Sequence, residues 1–122
     1  MKKGFTMIEL VMVIVILGIL AAIAIPAYVS LAQDARVAAT KGSIGSIRAA
    51  VAIQYAQNAI ANITPSYPTT ISGNMFAEGV VPQNQLAPTG SGVVTAYDGT
   101  GGWVYHSSTG TVESNDSAHT GM

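Results

Sequence analysis

The 122-residue sequence contains no cysteine, and only 9% of its residues are Asp, Glu, Lys or Arg. The lack of Cys excludes disulfide staples, thiolate zinc sites and cysteine nucleophiles, and leaves the redox compartment open. Soluble domains carry about 25% charged residues, so this chain is starved of charge. Its five Lys and Arg residues are too few for a nucleic-acid binder that works through a basic surface. A hydrophobic content of 49% argues against disorder. Phosphate-loop, HExxH and paired-carboxylate motifs are all absent. His106, in a predicted strand, and His119, in a polar tail, have no neighbours that would build a triad, so both read as surface or structural histidines. No enzymatic activity and no cofactor are expected.

What is present lies mostly at one end. From Leu10 to Gln33 the only ionisable side chain is the Tyr28 phenol. A membrane-spanning helix needs about 20 predominantly apolar residues, and this run supplies them. Lys2 and Lys3 precede it, which places the N-terminus in the cytoplasm by the positive-inside rule. An ordinary secretory signal peptide is the competing reading, with Ala21, Ala22 and Ala24 as small residues near a cut. Against it, the uncharged run continues past any such cut, and Glu9 stands at its start. A carboxylate in an apolar phase is costly. Glu9 either snorkels to the interface at the positive end of the helix dipole or meets a compact cation there. A new α-amino group, made by cutting before Phe5, would be such a cation.

Gly4-Phe5-Thr6-Met7-Ile8-Glu9, after a short basic leader and before a long apolar helix, resembles the N-terminus of type IV pilins and type II secretion pseudopilins. The similarity continues to Pro26 and, more loosely, to Arg36, where it is most like the mannose-sensitive haemagglutinin class of pilins. The resemblance implies cleavage between Gly4 and Phe5 by a prepilin peptidase, N-methylation of Phe5, and pairing of Glu9 with the Phe5 amine of a neighbouring subunit during assembly. Two buried charges tolerate an apolar phase only when paired. It also implies that the helix loosens between Gly18 and Pro26 in a filament. A simple kinked membrane helix is equally compatible with those residues.

Residues 27–63 continue the helical pattern. Ile44, Ile47, Val51 and Tyr55 form one apolar stripe, and Ile53, Ala56, Ile60 and Ile63 a second on another face. One stripe can cover a head domain; the other needs a further partner, such as a neighbouring subunit. Gly42 and Gly45 mark a bend, a close helix contact or a weak spot. If helical from Phe5 to Ile63, the element is roughly 85–90 Å long, which requires a membrane, a filament wall or both.

The remainder, Thr64 to Met122, holds four of the five Pro and nine of the 13 Gly, and Thr64-Pro65 and Tyr67-Pro68 are expected to end the helix. It contains no Lys or Arg, and its acids are Glu78, Asp98, Glu113 and Asp116. The basic residues beyond the leader, Arg36, Lys41 and Arg48, are all on the helix. Either the two sets meet between subunits or both are solvated faces. Val93–Tyr97, Trp103–His106 and Thr111–Glu113 read as a three-stranded antiparallel meander separated by Gly-rich turns. Its apolar face is expected on the Ile44–Tyr55 stripe, with Met75, Phe76, Val80 and Val81 as buried anchors. Trp103 and Tyr105 belong to the core in one reading and to an exterior binding surface in another. Asp98, Glu113, Asn115 and Asp116 are weak candidates for calcium oxygens. The head lacks the Asp-Pro-Trp-Gly segment and the tight acidic calcium loop of major pseudopilins, which favours a pilus subunit.

The expected fold is α+β and pilin-like: one long N-terminal helix, membrane-spanning in its first half, packed on a small C-terminal antiparallel sheet of about three strands. Residues 1–4 form a leader, 5–28 a transmembrane or assembly helix, 29–63 its amphipathic continuation, and 64–122 a β head with a frayed tail. The resemblance implies a subunit held in the inner membrane and then extracted into a homo-oligomeric helical filament at the cell surface. Its implied partners are a prepilin peptidase, an inner-membrane platform protein and an assembly ATPase. A secretion pseudopilin and a membrane-tethered periplasmic binding module are the alternatives.

Overall fold

The computed structural model describes residues 2–64, 66–87, 90–118 and 121. It is α+β: one long helix, α1 (Met7–Ile60), a short 3-10 turn (Gly73–Met75), and three strands, β1 (Val93–Val94), β2 (Trp103–His106) and β3 (Thr111–Ser114). The chain divides into two compact units, Met1–Ala35 and Arg36–Met122. The first contains the apolar start of α1, whose side chains are almost all exposed. The second contains the rest of α1 and all three strands.

α1 ends earlier than the Pro signals suggest, and by a different device. Asn62 takes a left-handed conformation with φ 55°. The Asn62 N–H then donates to the Ala59 carbonyl at 3.2 Å, and the Ile63 N–H to the Asn58 carbonyl at 2.9 Å. This is the Schellman closure, which satisfies carbonyls that have run out of helical partners. Asn is the residue other than Gly that enters the left-handed region most readily. Thr64 follows this closure, and Pro65 lies outside the described residues.

The Arg36–Met122 unit buries the predicted stripe. Ile44, Ile47 and Val51 form one core with Ile71, Trp103, Tyr105 and Val112. Trp103 and Tyr105, two apart on β2, point to the same side of the sheet, toward α1. Both fill the core rather than an exterior surface, at 0% and 1% exposure. Their polar tips are satisfied: Trp103 Nε1 donates to the Pro82 carbonyl and the Tyr105 hydroxyl to the Pro68 carbonyl, each at 2.8 Å. Burial raises the Tyr105 phenol pKa, with the nearby Tyr67 adding to it, so the hydroxyl stays a donor. Tyr55, the last stripe residue, is partly exposed and stacks on Tyr67 with ring centroids 4.7 Å apart. Met75, Phe76 and Val81 pack against the core as expected, but Val80 is 59% exposed. The second stripe stays uncovered, with Ile53, Ile60 and Ile63 exposed.

The sheet departs from a meander. β2 and β3 are antiparallel, pairing Trp103 with Ser114 and Tyr105 with Val112. β1 is parallel to β2, with Val93 opposite Trp103, and is only two residues long. The cluster 98–102, which read as a hairpin turn, instead carries the chain round to re-enter in the same direction. Gly99, Gly101 and Gly102 all have positive φ, at 70°, 101° and 77°. Gly102 is also packed onto the Gly92 backbone so closely that a Cβ would overlap it. That approach lets the Trp103 N–H donate to the Gly92 carbonyl at 2.7 Å.

Gly102→Ala is therefore expected to lower stability by roughly 3 kcal/mol, combining backbone strain with displacement of β1. The single Trp, Trp103, reports it directly. Urea unfolding of the full chain in detergent, followed by Trp fluorescence, should show a lower midpoint; an unchanged midpoint would contradict the close-approach argument.

Candidate functional site

Two regions carry the residues singled out by sequence: the N-terminal segment around Phe5 and Glu9, and the polar loop around Asp98 and Asn115. In the first, α1 starts directly after Thr6. One Glu9 oxygen, Oε2, accepts from the Thr6 backbone N–H and from the Thr6 hydroxyl, both at 2.8 Å. The Glu9 N–H donates back to the Thr6 hydroxyl at 3.3 Å. This reciprocal arrangement is a capping box, and Thr6-x-x-Glu9 is its sequence signature. Thr6 was not among the residues expected to matter, although the Thr6-x-x-Glu9 spacing is present in the sequence. The box uses Oε2 alone, and Glu9 stands at an exposed helix end. Phe5 is 88% exposed and Gly4 has open space where a Cβ would stand. From Leu10 to Leu20 every large apolar side chain is exposed, and α1 includes a stretch long and apolar enough to cross a membrane. The helix is unbroken at Gly18 and Pro26.

In the second region, β3 leads into Asn115, which is fully buried. Asn115 Oδ1 accepts from the N–H groups of Asp98 and Gly99, each at 3.1 Å. Its Nδ2 donates to Asp98 Oδ1 at 2.7 Å and to the Gly101 carbonyl at 2.9 Å. Asp98 Oδ1 also accepts from the Thr100 N–H and hydroxyl. The structure thus brings Asp98 and Asn115 together as a loop clamp joined by the Asn115 amide. Glu113 sits opposite Val104 on β3, apart from the clamp. Among the described residues no group of three or more His, Asp or Glu side chains converges. His106 is half-buried at the end of β2, and His119 lies outside the described residues. Hydrogen bonding by Asn115, and then by Thr100, lowers the Asp98 pKa from its ordinary 3.8.

A second buried amide, Asn84, was not legible as a key residue. Its Oδ1 accepts from the Thr40 hydroxyl of α1 at 3.2 Å and from the Leu86 N–H at 3.0 Å. Its Nδ2 donates to the Gly102 carbonyl and to Ser114 Oγ, both at 2.9 Å. Helix, loop and sheet therefore meet at one side chain.

With this geometry in hand, the comparisons place the N-terminal segment in a class. Residues 1–25 match the model of the prokaryotic N-terminal methylation motif. The chain is a sequence relative of type IV pilins and of a secretion protein. It is 49% identical over 55 residues to the type IV narrow pilus major component of Thermus thermophilus, covering 45% of this chain and 47% of that protein. It is 40% identical over 72 residues to the type II secretion system core protein G of Pseudomonas aeruginosa, covering 59% of this chain and 46% of that protein. It is 35% identical over 98 residues to the fimbrial protein EcpC of Eikenella corrodens, covering 78% of this chain and 61% of that protein. The chain spans less than half the length of the first two of these relatives. No solved structure matches it.

The clamp yields a pH prediction. A lowered folded pKa means that the Asp98 contribution to stability is present above the ordinary value and is lost as the pH falls through and below it. Asn115→Ala removes four hydrogen bonds, one of them to the buried Gly101 carbonyl, an expected loss of about 1–3 kcal/mol. Asn115→Asp places a second carboxylate against Asp98, so its thermal midpoint should rise on acidification from neutral pH into the weakly acid range, as one proton relieves the repulsion. The unsubstituted chain should not stabilise over that range. A parallel pH profile for the two proteins would remove the clamp argument.

Proposed function

We propose that this chain is a structural subunit of a type IV pilus-like filament. The observation that carries the proposal is the coincidence, within six residues, of Gly4-Phe5 and a Glu9 carboxylate held at the head of an uncovered apolar helix. In this reading Lys2 and Lys3 stay on the cytoplasmic side and residues 5–28 cross the inner membrane. A prepilin peptidase cuts before Phe5, and the new amine is methylated. Thr6 holds one oxygen of Glu9, which leaves the other to receive the Phe5 ammonium of a neighbouring copy. The pair sets the axial register of adjacent helices, because an unpaired charge in an apolar phase is strongly disfavoured. The exposed apolar side chains of α1 are then covered first by lipid and later by other copies. Gly18 and Pro26 mark where the helix is easiest to loosen during that transfer. A platform protein and an assembly ATPase complete the reading, with the filament at the cell surface.

The likeness to core protein G favours a second reading, a pseudopilus that serves protein secretion. Both readings use the same N-terminal chemistry and differ in the machinery around it.

Glu9→Val is expected to leave the membrane anchor intact and to abolish or greatly reduce filaments, counted by electron microscopy of sheared material. Normal filament yield from that variant would rule out the pairing. Mass analysis of the mature chain should give a start at methylated Phe5; any other start would reject processing by the prepilin route.

A further inference from the structure

The charges of this chain are segregated, and the fold gives the segregation a direction. From Thr64 onward there is no Lys or Arg but four acids, while Arg36, Lys41 and Arg48 all lie on α1. Two flanks of α1 border its buried face. At about 100° per residue, Lys41 and Arg48, seven apart, fall within about 20° of one another, whereas Ser46 lies about 140° from Lys41. Hydrogen bonds show what covers each flank. Arg48 donates to the Val112 carbonyl of β3 at 3.2 Å. On the opposite flank the Ser43 hydroxyl donates to the Gln83 carbonyl at 3.1 Å.

That second flank holds a groove of about 250 Å³ lined by Ser46, Phe76, Ala77, Glu78, Val80 and Pro82. Its walls are mainly apolar, and Val80 is exposed beside the Glu78 carboxylate. Apolar walls ending in one carboxylate match one kind of side chain: a long aliphatic stem ending in a cation. Lys41 is exposed, and neither it nor Glu78 forms an ion pair with a described residue. Within one chain Lys41 lies on the opposite flank of α1 from Ser46 and the groove that Glu78 lines.

We propose that this groove receives Lys41 of a second copy of the chain, its stem along Phe76, Val80 and Pro82 and its ammonium on Glu78. The inference rests on the filament reading and names the contact by which the Arg36–Met122 units of neighbouring copies recognise each other. Because the donor and the receptor are different surfaces of one unit, each added copy leaves one groove and one Lys41 free. Such a heterologous contact propagates instead of closing into a dimer. Arg48 is the poorer donor, since its guanidinium is already committed to Val112.

The test uses the full chain in cells that assemble it. Lys41→Glu and Glu78→Lys should each lower filament yield several-fold, and the remaining filaments should come apart at lower salt. The double exchange, Lys41→Glu with Glu78→Lys, should restore yield by re-forming the pair in reverse. The absence of native Cys permits an independent readout. Filaments of a chain carrying both Lys41→Cys and Glu78→Cys, treated with a short bismaleimide, should give a ladder of multimers, whereas either substitution alone should give none. Normal filament yield from Lys41→Glu and Glu78→Lys, with no ladder from filaments of the double-Cys chain, would overturn the contact while leaving the filament reading intact. Failure of the unsubstituted chain to form filaments under the same conditions would overturn that reading itself.

Discussion

A buried loop must find a partner for each of its backbone N–H and carbonyl groups, and this requirement governs the Arg36–Met122 unit. Its strands are two, four and four residues long, so sheet ladders satisfy few of those groups. Two fully buried amides serve several of the others. Asn84 ties α1, the 82–87 loop and β3 through Thr40, Leu86, Gly102 and Ser114. Asn115 holds the 98–101 loop from within. An amide suits the task because it offers two donors and an acceptor with two lone pairs. Among the described residues no buried side-chain polar atom lacks a partner. Without disulfides, fixation of this kind and the core around Trp103 are what give the unit one conformation.

The same rule, that a polar group removed from water needs a partner, acts at the other end of the chain. Glu9 heads an apolar helix, and Thr6 satisfies one of its oxygens from within the chain. In the filament reading the remaining capacity is filled by another copy. The exposed Ile53 and Ile60 of α1 point the same way, because apolar side chains on a regular helix face gain from being covered. Gly42 and Gly45 have open space around them within the chain, which leaves room for a close approach. The assembly reading thus draws on charge, apolar surface and small residues that the isolated chain leaves unused.

Local patterns were legible where one residue type at one spacing has one physical meaning. The apolar run, the Ile44–Ile47–Val51 stripe, the β2–β3 hairpin and the N-terminal methylation motif are of this kind. The parallel direction of β1 was not legible, because a Gly-rich cluster marks a turn without saying where the chain goes next. The helix end was half legible: Pro signals gave its neighbourhood, but the left-handed turn at Asn62 set the residue. Asn84 and Asn115 carried no signal of importance, since an isolated Asn reads as a turn residue.

The sequence by itself therefore determined the long apolar helix, the Phe5 and Glu9 segment at its head and the charge segregation of the chain, all of which follow from order along one dimension. Only the tertiary structure decided that Trp103 and Tyr105 are core, that Asn115 binds Asp98, and that Lys41 lies on the opposite flank of α1 from the groove that Glu78 lines. Burial and hydrogen-bond partnership join residues far apart in the chain, and composition and spacing do not encode which of them will meet.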